Sequence, residues 1–185
     1  MGGAMSSVVI AGDTSGSITL AAPAVAGSSV LTMPVATDTL VGKATTDTLT
    51  NKTLNVTGNT FNFTPITASL GADVSMTSSA TYFDGPSVAQ GTSGTWFVAG
   101  SVTVLDTNAA NYKFKLYDGT TVIDSGRLIG VAANAVTTVA FSGYIVSPAG
   151  NLRIAALSDG NTTGKIVFNN SGNSKDSTIT AIRIA

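Results

Sequence analysis

The chain has 185 residues, nine basic against ten acidic side chains, a formal net charge of −1, and no His, Cys or Glu. Those absences exclude ordinary zinc and iron sites, disulfide frameworks and Ser–His or Cys–His nucleophile pairs, so any general acid or base must come from Asp, Lys or Tyr. No basic stripe marks it for nucleic acid, and no apolar run approaches the roughly 18 residues of a membrane-spanning helix. Helix formers are scarce, whereas Thr, Val, Ser, Gly and Asn abound, so the composition predicts an all-β chain.

Residues 1–12 read as a short lead-in, loose unless a partner holds it. No basic segment precedes Val8-Val9-Ile10, and Asp13 follows closely, which argues against a signal peptide. Over 13–60, weak alternation is broken by Gly16, Pro23, Gly27 and Pro34, with short strands expected at Ser17–Leu20 and Ser29–Met33. An internal echo sits within this stretch: Thr37-Asp38-Thr39-Leu40, with Lys43, returns nine residues later as Thr46-Asp47-Thr48-Leu49, with Lys52. Nine extended residues span about 30 Å. Such a ribbon carries too little apolar surface to fold alone, and identical copies are its simplest partners. Residues 1–60 are therefore expected to form an extended stalk or particle anchor. Leu40, Leu49 and Leu54 are its expected contacts at a threefold axis.

Residues 61–79 read as a linker, and 80–185 as a compact head. From Ala80 onward large apolar residues appear, and turn signals recur every eight to twelve residues, as in a β-sandwich. Strands are expected near Thr81–Asp84, Thr95–Leu105, Tyr112–Tyr117, Thr120–Ser125, Val136–Ser147, Asn151–Leu157, Lys165–Asn169 and Ser177–Ile184. The alternation is clearest in Tyr112-Lys113-Phe114-Lys115-Leu116-Tyr117, where the aromatic and aliphatic side chains point inward and both lysines face water. In the last strand Ile179 and Ile182 fall on opposite faces, which calls for a bulge or for burial on both sides. The fold class is an all-β, antiparallel jelly-roll sandwich.

Candidate sites are few. Asp84, Asp118 and Asp159 each precede Gly, the pattern of turns in which Asp bonds its own backbone and Gly supplies positive φ. Asp159 and Asp176 lie in Asn-rich loops able to offer oxygen ligands to calcium, but without Glu there is no long bidentate ligand; no metal or cofactor is expected. Trp96, Tyr82, Tyr112, Tyr117 and Tyr144 are the aromatic residues able to stack on a sugar, with core packing the simpler role for Trp96. Tyr117, beside the Asp118-Gly119 turn, is the aromatic expected to be exposed for glycan contact. Asp118 and Asp124 are the nearest approach to a glycosidase carboxylate pair, though a hairpin accounts for them first.

Two segments carry a family resemblance. Gly12-Asp13-Thr14-Ser15-Gly16-Ser17-Ile18-Thr19-Leu20, together with Thr46-Asp47-Thr48-Leu49-Thr50-Asn51-Lys52-Thr53-Leu54, resembles stalk segments of bacteriophage fibre and other appended virion proteins. The C-terminal region is similar to trimeric jelly rolls of the C1q/tumour-necrosis-factor type. The resemblance rests on the aromatic strand Gly94–Gly100, the long strand Thr137–Val146 followed by Asn151–Ala156, and the apolar final strand. It implies a non-enzymatic, homotrimeric head or tail fibre or decoration protein on the virion exterior, held to capsid or tail proteins. The alternative is a receptor-binding, lectin-like module for host glycans.

Overall fold

The computed structural model describes residues 7–11, 13–21, 53, 57–58 and 63–185. The chain divides into two units, Met1–Leu54 and Asn55–Ala185. In the first, strands β1 (Ser7–Ala11) and β2 (Ser17–Ala21) pair antiparallel, and Gly16 supplies the positive φ of 78° that closes the hairpin. The lead-in expected to be loose is thus partly a strand. Within that strand Val8, Val9 and Ile10 are all exposed. The expected strand at Ser29–Met33 and the nine-residue echo lie outside the described residues.

The second unit is an antiparallel sandwich of two sheets. One has four strands in the order β5 (Phe83–Val88), β10 (Leu152–Asp159), β7 (Ala110–Tyr117), β8 (Val122–Val131). The other has six, built on the long strand β6 (Thr95–Leu105). One edge of β6 carries β9 (Thr137–Val146) from Thr95 to Val104. Its opposite edge carries β12 (Thr178–Arg183) and then β11 (Gly164–Ile166). Outside these lie β3 (Ile66–Ser69), paired to β12, and β4 (Val74–Met76), paired to β11.

Period-two alternation makes this core. Trp96, Val98, Val102 and Val104 point inward from β6 and meet Tyr112, Phe114 and Leu116 of β7 and Leu152, Ile154 and Ala156 of β10, all buried. Fully burying one such large side chain contributes about 1.5–3 kcal/mol. Phe141 of β9 stands 5.9 Å from Phe114, centroid to centroid, and joins the two sheets at the corner where β8 meets β9.

Three expectations change. The supposed linker 61–79 contains β3 and β4, so the sandwich takes up sequence from before Ala80. Neither segment has enough apolar residues to announce itself, and each is held by pairing with a strand about a hundred residues away. Asp84-Gly85 lies inside β5 and is not a turn. The final strand needs no bulge, because its register with β6 runs unbroken from Thr178 to Arg183. Ile179 is buried in the core, while Ile182 faces the exterior.

Candidate functional site

The two sheet exteriors differ in chemistry. Strand register places Thr67 and Ser69 of β3, Thr178, Thr180 and Ile182 of β12, the odd-numbered residues of β6, and Thr138, Ala140, Ser142, Tyr144 and Val146 of β9 on one outer face. Among these residues none is charged. Toward one end a cross-strand row runs Ile182–Phe97–Tyr144, with Val146 opposite Thr95 in the next row. Tyr144 is 71% exposed, Val146 64% and Phe97 43%, so this is an uncovered apolar patch. Beyond it the rows are small and hydroxylated: Thr180–Ala99–Ser142, then Thr178–Ser101–Ala140. The Thr67 and Thr180 hydroxyls are 3.1 Å apart. Small side chains leave the backbone open to close approach by another surface.

The four-stranded exterior is charged. Lys113, Lys115, Arg127 and Arg153 share it with Asp84 and Asp159. Lys113 and Arg127 both reach one carboxylate oxygen of Asp159, at 2.9 and 3.3 Å. Hydrogen bonding from Lys113 holds the Asp159 carboxyl below its ordinary value. Arg153 pairs with Asp84 at 2.9 Å. Exposed pairs of this kind add little stability, because water and salt screen them.

Tyr117, expected to be exposed, is 9% exposed. Its hydroxyl donates to Asp84 at 2.6 Å, and Lys115 and Arg153 cover its ring. Burial, reinforced by Asp84, pushes the Tyr117 phenol up to about 12. The ring is thus a platform for the protein's own cations and is not open to a sugar. Trp96 and Tyr112 are core residues, and Trp96 donates its indole N–H to the Ser93 carbonyl at 2.9 Å. Of the candidate aromatics Tyr144 stands furthest into solvent; it alternates with the inward Phe141-Gly143-Ile145 face, and that parity was the available signal.

The remaining candidates serve turns and loop ties. Asp118 is nearly buried and accepts from the amides of Thr120, Thr121 and Ala149 at 2.9, 2.6 and 2.7 Å. Burial opposes its charge, but those amide bonds outweigh it and hold the carboxyl below its ordinary value. Gly119, with φ of 100°, completes the turn as the sequence indicated. Asp124 accepts from the amides of Ser125 and Ser142. Asp176 accepts from the amides of Asn170 and Ser171 and from the Ser171 hydroxyl. Asp159 is taken up by cations. No cluster of three metal-ligating side chains occurs among the described residues. Leu40, Leu49 and Leu54 lie outside the described residues.

The least obvious polar cluster closes the end of the sandwich away from Tyr144. Asp106, 2% exposed, accepts from Thr163 Oγ at 2.6 Å, the Asn108 amide at 2.9 Å and Ser158 Oγ at 3.1 Å. Burial disfavours its charge, and these donors more than offset that, so the carboxyl sits below its ordinary value. The Tyr112 hydroxyl is fully buried without a protein hydrogen-bond partner. Burial first, then the Asp106 charge, pushes this phenol up to about 12. Nothing in the sequence around Leu105-Asp106-Thr107 distinguishes this carboxylate from an ordinary loop Asp.

No protein-family model and no curated protein matches the chain. Among solved structures, Eiger TNF from S. frugiperda aligns over 66% of this chain and 93% of its own, with 11% identity and a TM-score of 0.45. The PRD1 vertex protein P5 aligns over 65% of this chain and 96% of its own, with 15% identity and a TM-score of 0.37. The C-terminal CBM6 of LamC from Zobellia galactanivorans aligns over 66% of this chain and all of its own, with 15% identity and a TM-score of 0.32. The second unit is an all-β sandwich of two antiparallel sheets that resembles a jelly roll.

Proposed function

We propose that this chain is a non-enzymatic structural protein of a phage virion, a homotrimeric fibre or decoration protein whose sandwich assembles through the uncharged outer face that β3, β12, β6 and β9 form together. The observation that supports this reading is the segregation of the two exteriors. Tyr144, Phe97, Val146 and Ile182 form a contiguous apolar patch beside small hydroxylated residues, while the charged pair of this sheet, Lys165 with Asp73, lies at the other end, opposite Leu105. The four-stranded exterior holds Lys113, Lys115, Arg127 and Arg153 and suits solvent. Threefold symmetry is inferred from the resemblance of the N-terminal sequence to fibre stalk segments and of the head to trimeric jelly rolls, and cyclic closure leaves no sticky face exposed. Absence of catalysis is part of the proposal: Asp118 and Asp124, the best-spaced carboxylates, are both committed to backbone amides.

Light scattering of the full chain at micromolar concentration tests the assembly. The expected mass is three times the 18.5 kDa of the chain. A monomeric mass overturns the trimer. Immunogold labelling of intact particles tests the location, with label expected on the outer surface.

A further inference from the structure

Lys115 is held in an unusual way. Its ammonium lies 3.8 Å from the ring centroid of Tyr117 and 4.6 Å from that of Tyr82. Among the described residues no carboxylate lies within ion-pairing distance of it, unlike Lys113, Arg127, Arg153 and Lys165. An aromatic clamp fixes a cation through the ring quadrupole but does not cancel its charge. Tyr117 is itself fixed by its hydroxyl bond to Asp84, which also neutralises Arg153. The Tyr117 side of the clamp is therefore fixed, and the positive charge of Lys115 is available to a ligand.

The surroundings extend this charge. Lys113 lies two residues away on the same face, about 7 Å along the strand. Together with Arg127 it shares the single carboxylate of Asp159. Four cations thus face two carboxylates on this exterior, a local excess of positive charge on a chain of net charge −1. Ser125, directly opposite Lys115 on β8, and Ser87, opposite Arg153 on β5, add exposed hydroxyls.

We infer that the exterior of the four-stranded sheet binds an acidic polysaccharide, with Lys115 taking one carboxylate and the Lys113–Arg127 pair a neighbouring one along the chain. Spaced single cations among hydroxyls fit a polymer with one charge per sugar. They do not fit a phosphodiester chain, which is bound by a dense basic stripe. Apolar exposure on this sheet lies at the two ends of β8, at Val122 and Ile129, and the Lys115 and Lys113 rows themselves carry no exposed apolar anchor of the kind a protein partner requires. This reading goes beyond assembly, since it concerns the opposite exterior and holds for one copy or three.

Retention of the full chain on immobilised polygalacturonate, followed against salt, is the test. Light scattering on the same samples reports assembly separately. The parent protein is expected to bind at low salt and to release as salt rises. Lys115→Gln should bind roughly five- to tenfold more weakly. Arg127→Gln, on the edge strand, should weaken binding in the same direction. Lys165→Gln, an equal loss of charge on the other sheet, should match the parent. Neutral dextran should not retain the protein. No retention of the parent, equal retention of Lys115→Gln, or equal binding to dextran overturns the inference. Duplex DNA bound as tightly as polygalacturonate overturns the saccharide assignment in favour of nucleic acid.

Discussion

Replacing Tyr144 with Ser separates folding from assembly. An aromatic side chain buries about 150–250 Å² when covered. Tyr144 is 71% exposed within one chain, so a partner has on the order of 110–180 Å² of it left to cover. At about 25 cal/mol per Å² this gives a ceiling near 3–4 kcal/mol per interface. Incomplete coverage and the cost of fixing the side chain bring the working figure to about 1.5–2 kcal/mol, a weakening of each contact by roughly ten- to thirtyfold. The core contributes almost nothing to the effect, because the buried face of β9 is carried by Phe141 and Ile145. Tyr144→Ser should therefore melt within the roughly 0.5 kcal/mol typical of surface changes when measured as a dilute monomer. In sedimentation velocity over a dilution series its dissociation should begin at higher concentration than the parent's. Tyr144→Phe keeps the ring and should track the parent. If Tyr144→Ser associates like the parent, this face is not the interface and the argument from charge segregation fails.

Three further outcomes are expected. Tyr112→Phe removes a buried hydroxyl that has no protein partner, and should leave stability unchanged or raise it by up to about 1–3 kcal/mol. A lower melting temperature would show that the hydroxyl is satisfied in the folded protein. Asp106 and Asp118 have folded-state carboxyls held below the ordinary 3.8, so their contribution is present above that value and lost as pH falls through the folded ones. Denaturant titrations from pH 5 downward should show stability falling, and Asp118→Ala, which leaves three amides without their acceptor, should be less stable at pH 7 and fall less steeply with acid. Limited proteolysis should leave a resistant fragment beginning between residues 55 and 66. A fragment beginning near residue 80 would mean that β3 and β4 do not hold in solution.

What could be read from the sequence follows from the size of the side chains involved. Strand β6 was located to its end residues, and the inward set of β7 was named correctly, because Trp, Phe, Tyr and Leu alternating with Lys leave one choice of face. Ile66-Thr67-Ala68-Ser69 and Val74-Ser75-Met76 gave no such signal, since their strand state depends on partners far along the chain. The strand expected at Thr120–Ser125 runs instead from Val122 to Val131, past Gly126. In fact Gly126 marks a close approach, where an added Cβ would lie 3.3 Å from the Phe141 ring. Tyr117 was misjudged because neighbours in space, Arg153 and Asp84, decide its exposure. The uncharged exterior was present in the sequence as the other parity of β6, β9 and β12. It became a face only once their registers aligned the rows.

Because β3 and β12 are antiparallel neighbours with Ile66 opposite Ala181, the polypeptide enters and leaves the sandwich side by side. The Thr95 amide bonds the Ala185 carbonyl at that same end. Anyone wishing to display a peptide on this scaffold should therefore avoid the C-terminus, where a fused sequence would emerge beside the incoming strand. The loop 169–174, at the far end of β12, is the better graft point. The same geometry governs mechanical load: a pull between the two termini peels β3 from β12 one hydrogen bond at a time, without shearing the whole ladder together. Tethered at both ends, the domain would yield at low force, whereas tethered through residue 63 and that distal loop it would resist.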